Sequence, residues 1–213
     1  MYRRKKNAPL RGSSVVRRIV CRLDHRPRAL SDHITDKAIF FVYNALVDLI
    51  RQIDFSTLNF VEQIRTPVLT LFFKAVTFMG EWSFVLGALV LISIFFIIKK
   101  RVRYDLILWL VTVGGLGTAF VLKEIFHRGR PIGALIAETS SSFPSAHAVI
   151  SIAFYAFIFY LLARNTKRSF SKYLLISVAI FISILLGFSR LYLGVHYLSD
   201  VLAGYAIGDI WFL

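Results

Sequence analysis

Four long apolar runs decide most of what this chain can become. Residues 83–98 (SFVLGALVLISIFFII), 104–122 (YDLILWLVTVGGLGTAFVL), 145–163 (SAHAVISIAFYAFIFYLLA) and 173–189 (YLLISVAIFISILLGFS) each approach the roughly 20 residues that a helix needs to cross a hydrocarbon core. In lipid a backbone must satisfy its own hydrogen bonds, which a helix does within one segment. The whole chain agrees with the runs: 57% of its 213 residues are hydrophobic, 18% are charged, and the mean hydropathy is +0.66. A fifth run starts at Leu198 and is still apolar at Leu213; its 16 residues make roughly 24 Å of helix against a core of about 30 Å, with Asp209 inside it. Residues 38–53 are apolar but carry Asn44, Asp48 and Arg51, so they read as a weak first span or an interfacial helix. Residues 57–78 space Leu58, Val61, Ile64, Val68, Leu71 and Phe72 as a helix lying on the membrane would, kinked at Pro67. The fold class expected is an all-α, polytopic membrane helix bundle of about six transmembrane helices, the first weak and the last short.

Charge orients the bundle. Lys and Arg outnumber Asp and Glu by 26 to 12, and residues 1–37 hold 11 of the bases against three acids. This basic leader is read as cytoplasmic or disordered, with a single membrane domain over 38–213. A basic segment beside a membrane suits anionic lipid, and no nucleic-acid-binding motif accompanies it. Cys21 is the only cysteine, which excludes an internal disulfide and a cysteine metal site. Lys99, Lys100, Arg101 and Arg103 occupy one loop and Arg164, Lys167, Arg168 and Lys172 another, two spans later; both are assigned to the cytoplasm. Residues 123–144 and 190–197 then face outward together, yet they keep Lys123, Arg128, Arg130 and Arg190. Bases retained on the disfavoured side point to an anionic ligand.

Three outward pieces carry the chemistry. "KEIFHRGRP" supplies Lys123, Arg130 and, as a second-line phosphate contact, Arg128. "FPSAH" is expected to open a helix at Pro144, leaving the Ser145, Ala146 and His147 amides and the Ser145 hydroxyl free for an anion. "SRLYLGVHYLSD" sets His196 and Asp200 four apart, on one face if helical, so that the carboxylate takes the proton of one imidazole nitrogen and exposes the other. Two histidines, a carboxylate and several bases on one side suit phosphoryl transfer through a phosphohistidine. His196 attacks, His147 protonates the leaving oxygen and later activates water, and the guanidiniums take the role a metal has elsewhere, so neither metal nor cofactor is called for. His25, His33 and His127 are read as tail or interface residues, Glu138 as solvated, and Gly114, Gly115, Gly117, Gly204 and Gly208 as close-packing positions between helices.

Lys123 with six residues before Arg130-Pro131, Pro144-Ser145-Ala146-His147, and Ser189-Arg190 with five residues before His196 and three more before Asp200 together resemble the three-part signature of the type 2 phosphatidic acid phosphatase superfamily, over about residues 54–208. The resemblance implies phosphate binding by Lys123, Arg130, Ser145, His147 and Arg190, a nucleophile at His196 oriented by Asp200, and a substrate whose tail enters from the bilayer. Ala146 stands where the family has glycine; it keeps the amide, and is compatible if helical and strained if its φ must be positive. The function expected is hydrolysis of a lipid phosphate or diphosphate, such as phosphatidylglycerophosphate, phosphatidic acid or undecaprenyl diphosphate, on the outer face of a bacterial plasma membrane. The alternatives are a catalytically impaired lipid-phosphate-binding protein and a relative of vanadate-dependent peroxidases. Oligomeric state is left open.

Overall fold

The computed structural model describes the backbone over residues 28–213, with side chains from Lys37 onward apart from Ala38. Residues 1–27 of the expected leader lie outside the described residues, and residues 28–37 open the first helix. The described residues up to Leu49 and residues 50–213 form two units, and every site residue discussed below lies within the second.

Seven helices make up the described chain: α1 (Arg28–Gln63), α2 (Pro67–Phe78), α3 (Trp82–Ile98), α4 (Val102–Phe126), α5 (Ala146–Asn165), α6 (Ser169–Tyr192) and α7 (Leu198–Phe212). The four apolar runs are thus helices α3 to α6 to within a few residues. By length and composition α4, α5 and α6 could each cross a membrane, or four spans form if α2 and α3, bent by 47°, count as one. The weak first and short last spans of the sequence reading, α1 and the 15-residue α7, are not among those spans.

Over residues 50–63 α1 is polarised inversely to a helix of a water-soluble protein. Ile50, Ile53, Phe55 and Phe60 are exposed, whereas Asp54 and Val61 are buried. Outward apolar side chains suit lipid, and a buried carboxylate must be paired to be tolerated.

The surface helix expected over 57–78, kinked at Pro67, is two helices. A proline disfavours helical φ and ψ in the residue before it, and Thr66 is extended (φ −134°, ψ 157°). Its hydroxyl accepts a hydrogen bond from the Leu69 amide at 3.3 Å and caps α2, with Pro67 at the first helical position. The break is tied to the end of α6: the Thr66 amide donates to Tyr192 Oη at 2.9 Å and Arg65 Nε to the Tyr192 carbonyl at 3.1 Å. Nor does α2 present only lipid-facing groups, since Phe73 packs against Tyr192, ring centroids 4.4 Å apart, and Phe188.

The core joins Leu108, Val149, Ile150, Ala153, Phe154, Leu186 and Ile207, from α4 to α7. Close approach of α5 and α7 requires Gly204 and Gly208, as the sequence suggested. A Cβ at Gly204 would stand 2.5 Å from the Ser145 carbonyl oxygen, and one at Gly208 2.7 Å from Ile152 Cβ. Gly114 and Gly115 likewise face Trp211 and Val149, but Gly117 faces open space. These contacts bring the start of α7 against the start of α5, and the ends of α4 and α6 complete the same end of the bundle.

Candidate active site

Every motif residue singled out in the sequence lies in one cluster. Lys123, buried at the end of α4, donates to the Ser141 carbonyl, which also accepts from Arg130 Nη2 at 3.5 Å. Arg130 is held in place by the Ser140 carbonyl (2.7 Å, from Nε) and the Val195 carbonyl (2.9 Å, from Nη1). Its Nη1 then lies 3.4 Å from His196 Nε2. Arg190, 1% exposed on α6, donates to Thr77 Oγ1 at 2.6 Å and lies 3.3 Å from His147 Nε2. His147 Nε2 also lies 3.1 Å from the Thr77 carbonyl and 3.6 Å from a Glu81 carboxylate oxygen. Thr77 and Glu81 belong to the bend between α2 and α3, where a Cβ on Gly80 would overlap the His147 ring.

The structure revises four local expectations. His196 is not on a helix: it precedes Tyr197, the N-cap of α7, while Asp200 is the third residue of that helix and accepts from the Tyr197 amide at 2.9 Å. The two still meet, with His196 Nδ1 3.6 Å from Asp200 Oδ2, because the capping geometry folds the chain back over the first turn. Pro144 is not the first helical residue; Ser145 is the N-cap and Ala146 opens α5. Ala146 is therefore helical, and the glycine-to-alanine departure introduces no backbone strain. The Ser145 amide is not free either, since it donates to the Asp200 carbonyl at 3.0 Å and locks α5 to α7.

Glu138 is the fourth revision. It is not a solvated loop residue: its carboxylate pairs with Arg190 Nη2 and lies 3.5 Å from Arg130 Nη2, because two guanidiniums in a half-buried site attract the nearest anion. Burial alone would raise the Glu138 pKa, but the Arg190 charge, its hydrogen bond and Arg130 hold it below the ordinary carboxylate range. Arg130 is shifted down by desolvation. His196, 2% exposed, is pushed by burial, and secondarily by the Arg190 and Arg130 charges, down to about 3 against the opposing influence of the nearby Asp200 carboxylate. Its imidazole is thus neutral across the ordinary range, as a nucleophile must be.

Three buried polar atoms have no hydrogen-bond partner among the described residues: Ser145 Oγ, Arg190 Nε and His196 Nδ1. All three belong to the motifs. No group of three or more His, Cys, Asp and Glu side chains among the described residues has the arrangement to hold a metal ion. Sequence reasoning missed Asp54, Thr77 and Glu81, which carry no spacing signal and enter only through the bend and the burial of one face of α1.

Known proteins resemble this chain in sequence and in fold. Residues 104–213 match the model of the PAP2 superfamily. Phosphatidylglycerophosphatase B of Bacillus subtilis (strain 168) is 34% identical over 151 residues, 70% of this chain and 74% of that protein. The crystal structure of the transmembrane PAP2 type phosphatidylglycerolphosphate phosphatase from Bacillus subtilis superposes with a TM-score of 0.73 at 31% identity, covering 84% of this chain and 91% of that one. The fold is also that of Aquifex aeolicus LpxE, with a TM-score of 0.58 at 24% identity over 78% of this chain and 91% of the other.

Proposed function

The chain belongs to the PAP2 superfamily and is a membrane lipid phosphatase, and from that premise we propose that it removes the phosphomonoester of phosphatidylglycerophosphate through a phosphohistidine on His196, facing the outside of a bacterial plasma membrane. One observation carries the mechanism. Each histidine presents Nε2 to an arginine, His196 to Arg130 at 3.4 Å and His147 to Arg190 at 3.3 Å, and both arginines close on a single carboxylate, that of Glu138. A phosphate held by the same two guanidiniums touches both imidazoles. The choice of substrate draws support from the Bacillus subtilis phosphatase that the chain resembles in both sequence and structure, and the outward assignment from the basic loops at the opposite helix ends.

The reaction then has two steps. His196 Nε2 attacks phosphorus as the bond to the glycerol oxygen breaks, and His147 passes its proton to that leaving oxygen. His147, now neutral, takes a proton from water, whose oxygen attacks phosphorus as the phosphorus–nitrogen bond breaks and inorganic phosphate departs. Lys123, Arg130 and Arg190 with the Ser145 hydroxyl and the Ala146 amide bind the three peripheral oxygens and stabilise their charge. Asp200 keeps the His196 proton on Nδ1, and Glu81 lies where it can pair with the His147 imidazolium.

The test is phosphate release by the detergent-solubilised full chain, with EDTA present, from phosphatidylglycerophosphate, phosphatidic acid and undecaprenyl diphosphate. The expected result is turnover undiminished by the chelator, inhibition by vanadate, and the highest kcat/KM on phosphatidylglycerophosphate. Turnover restricted to another of the three moves the assignment to that lipid, and loss of activity in chelator overturns the metal-free mechanism.

A pH prediction follows from burial. Because His196 is held down at about 3, the neutral nucleophile persists far below the ordinary histidine value of about 6.5. The rate of phosphoenzyme formation at saturating substrate is expected to show no acid limb near that value. An acid limb centred at 6.5 that shifts on substitution of His196 would contradict the buried, neutral assignment.

A further inference from the structure

Arg128 lies two residues before Arg130, but its guanidinium bonds neither site histidine. Nη1 donates to Asp200 Oδ1 at 2.5 Å and to Ser199 Oγ at 2.7 Å, Nη2 to Asp54 Oδ2 at 2.8 Å, and the guanidinium lies 4.3 Å from the centre of the Tyr197 ring. Both hydrogen-bonding edges are therefore committed to carboxylates and to the aromatic face. An arginine shared by two acids has little charge left for a phosphate. The two acids and the paired bond outweigh its desolvation and hold Arg128 above its ordinary value.

Asp54 is the root of this chain of contacts. It is 1% exposed on α1, on a helix that sends most of its apolar groups outward. Oδ1 accepts from the Ser199 amide at 2.9 Å, and Oδ2 accepts from Ser199 Oγ at 2.6 Å and from Arg128 at 2.8 Å. Burying a carboxylate on a lipid-facing helix is costly unless it is this fully paired. Its partners are the second residue of α7 and the arginine that grips Asp200.

We propose that Asp54 and Arg128 are positioning residues: through Arg128 and Ser199 they hold the Asp200 carboxylate against His196, and neither contacts the substrate. The inference rests on the proposed role of His196 as nucleophile. With Oδ1 bonded to Arg128 and Oδ2 to the Tyr197 amide, the plane of the Asp200 carboxylate is set, and Oδ2 stands 3.6 Å from His196 Nδ1. Such contacts commonly shorten when a substrate draws charge onto the imidazole. Without Arg128 the carboxylate keeps only the Tyr197 amide and is free to turn from the ring. Without Asp54 the guanidinium is released on one edge and α7 loses the acceptor for its Ser199 amide.

The test uses the full chain with Asp54→Asn, Arg128→Gln and the double variant, reading kcat, KM and vanadate inhibition separately. Loss of either partner is expected to lower kcat about 10- to 100-fold, as removal of a group behind a reactive ligand does. KM and the vanadate inhibition constant stay within about twofold, because phosphate binding is untouched. The double variant is no worse than the poorer single variant, since both act through one carboxylate, and Asp54→Glu recovers part of kcat. Vanadate affinity lost in parallel with kcat in Arg128→Gln makes Arg128 a phosphate ligand and overturns the proposal, as does an unchanged kcat in Asp54→Asn. If the charge variants do not yield folded protein, Ser199→Ala removes the hydroxyl that bridges Arg128 and Asp54 and keeps all three charges. A several-fold fall in kcat at constant KM is then expected, and no fall overturns the proposal. Failure of the underlying reading is separately visible: it appears as activity retained in His196→Ala, whatever the Asp54 variants do.

Discussion

His196→Ala is expected to reduce phosphate release by about 10⁴-fold or more, because no second nucleophile stands where Nε2 does and the remaining groups only bind and polarise. The labelled phosphoprotein that is stable in base and lost in acid, as a phosphoramidate is, should be absent from the variant. The imidazole is buried and its Nε2 is aimed at Arg130, so its loss also leaves a small cavity. His196→Gln, which fills much of that volume, separates chemistry from stability: it should unfold close to the wild-type temperature and be equally inactive. A variant that folds and retains more than about a hundredth of the activity would remove His196 from the covalent step, leaving the PAP2 fold intact but the mechanism different.

How much of this was legible in the sequence differs from element to element for physical reasons. The helices α3 to α6 were visible because lipid demands an unbroken apolar run, and such runs are rare elsewhere. The cluster was visible because bases at the span ends assigned outward go against the sidedness rule and recur at fixed spacing with His147, His196 and Asp200. The break at residues 64–66 was read only as a kink at Pro67. The local rule for the residue before proline marks a boundary, but the choice between kink and break is made by Tyr192, 126 residues away, whose hydroxyl accepts from the Thr66 amide. Glu138 looked like any loop acid, since nothing local shows that two arginines converge on it. Asp54 was hidden differently: it falls just past the weak run of residues 38–53 and carries no spacing signal, whereas the fold makes it the partner of Arg128 and Ser199. In each miss the deciding contact is long in sequence and ionic or polar, and periodicity reports only apolar faces.

His147→Gln is the second large effect, and its size should depend on the leaving group. In the proposed mechanism His147 protonates the departing glycerol oxygen, an alkoxide of high basicity that cannot leave unaided; losing such an acid costs about 10²- to 10⁴-fold. An aryl phosphate, whose phenolate leaves without a proton, is expected to lose far less in the first step. The second step still needs a base for water, so with an aryl substrate the variant should accumulate phosphohistidine that the wild type turns over. The position of the ring supports a role in both steps: Nε2 is 3.3 Å from Arg190, the proposed phosphate ligand, and 3.6 Å from Glu81, which can pair with the imidazolium between steps. Equal losses on alkyl and aryl substrates, with no accumulated intermediate, would instead make His147 a phosphate ligand alone. The proton would then have to come from elsewhere, and Glu81, on the bend that Gly80 allows to press against the imidazole, is the titratable group next in reach.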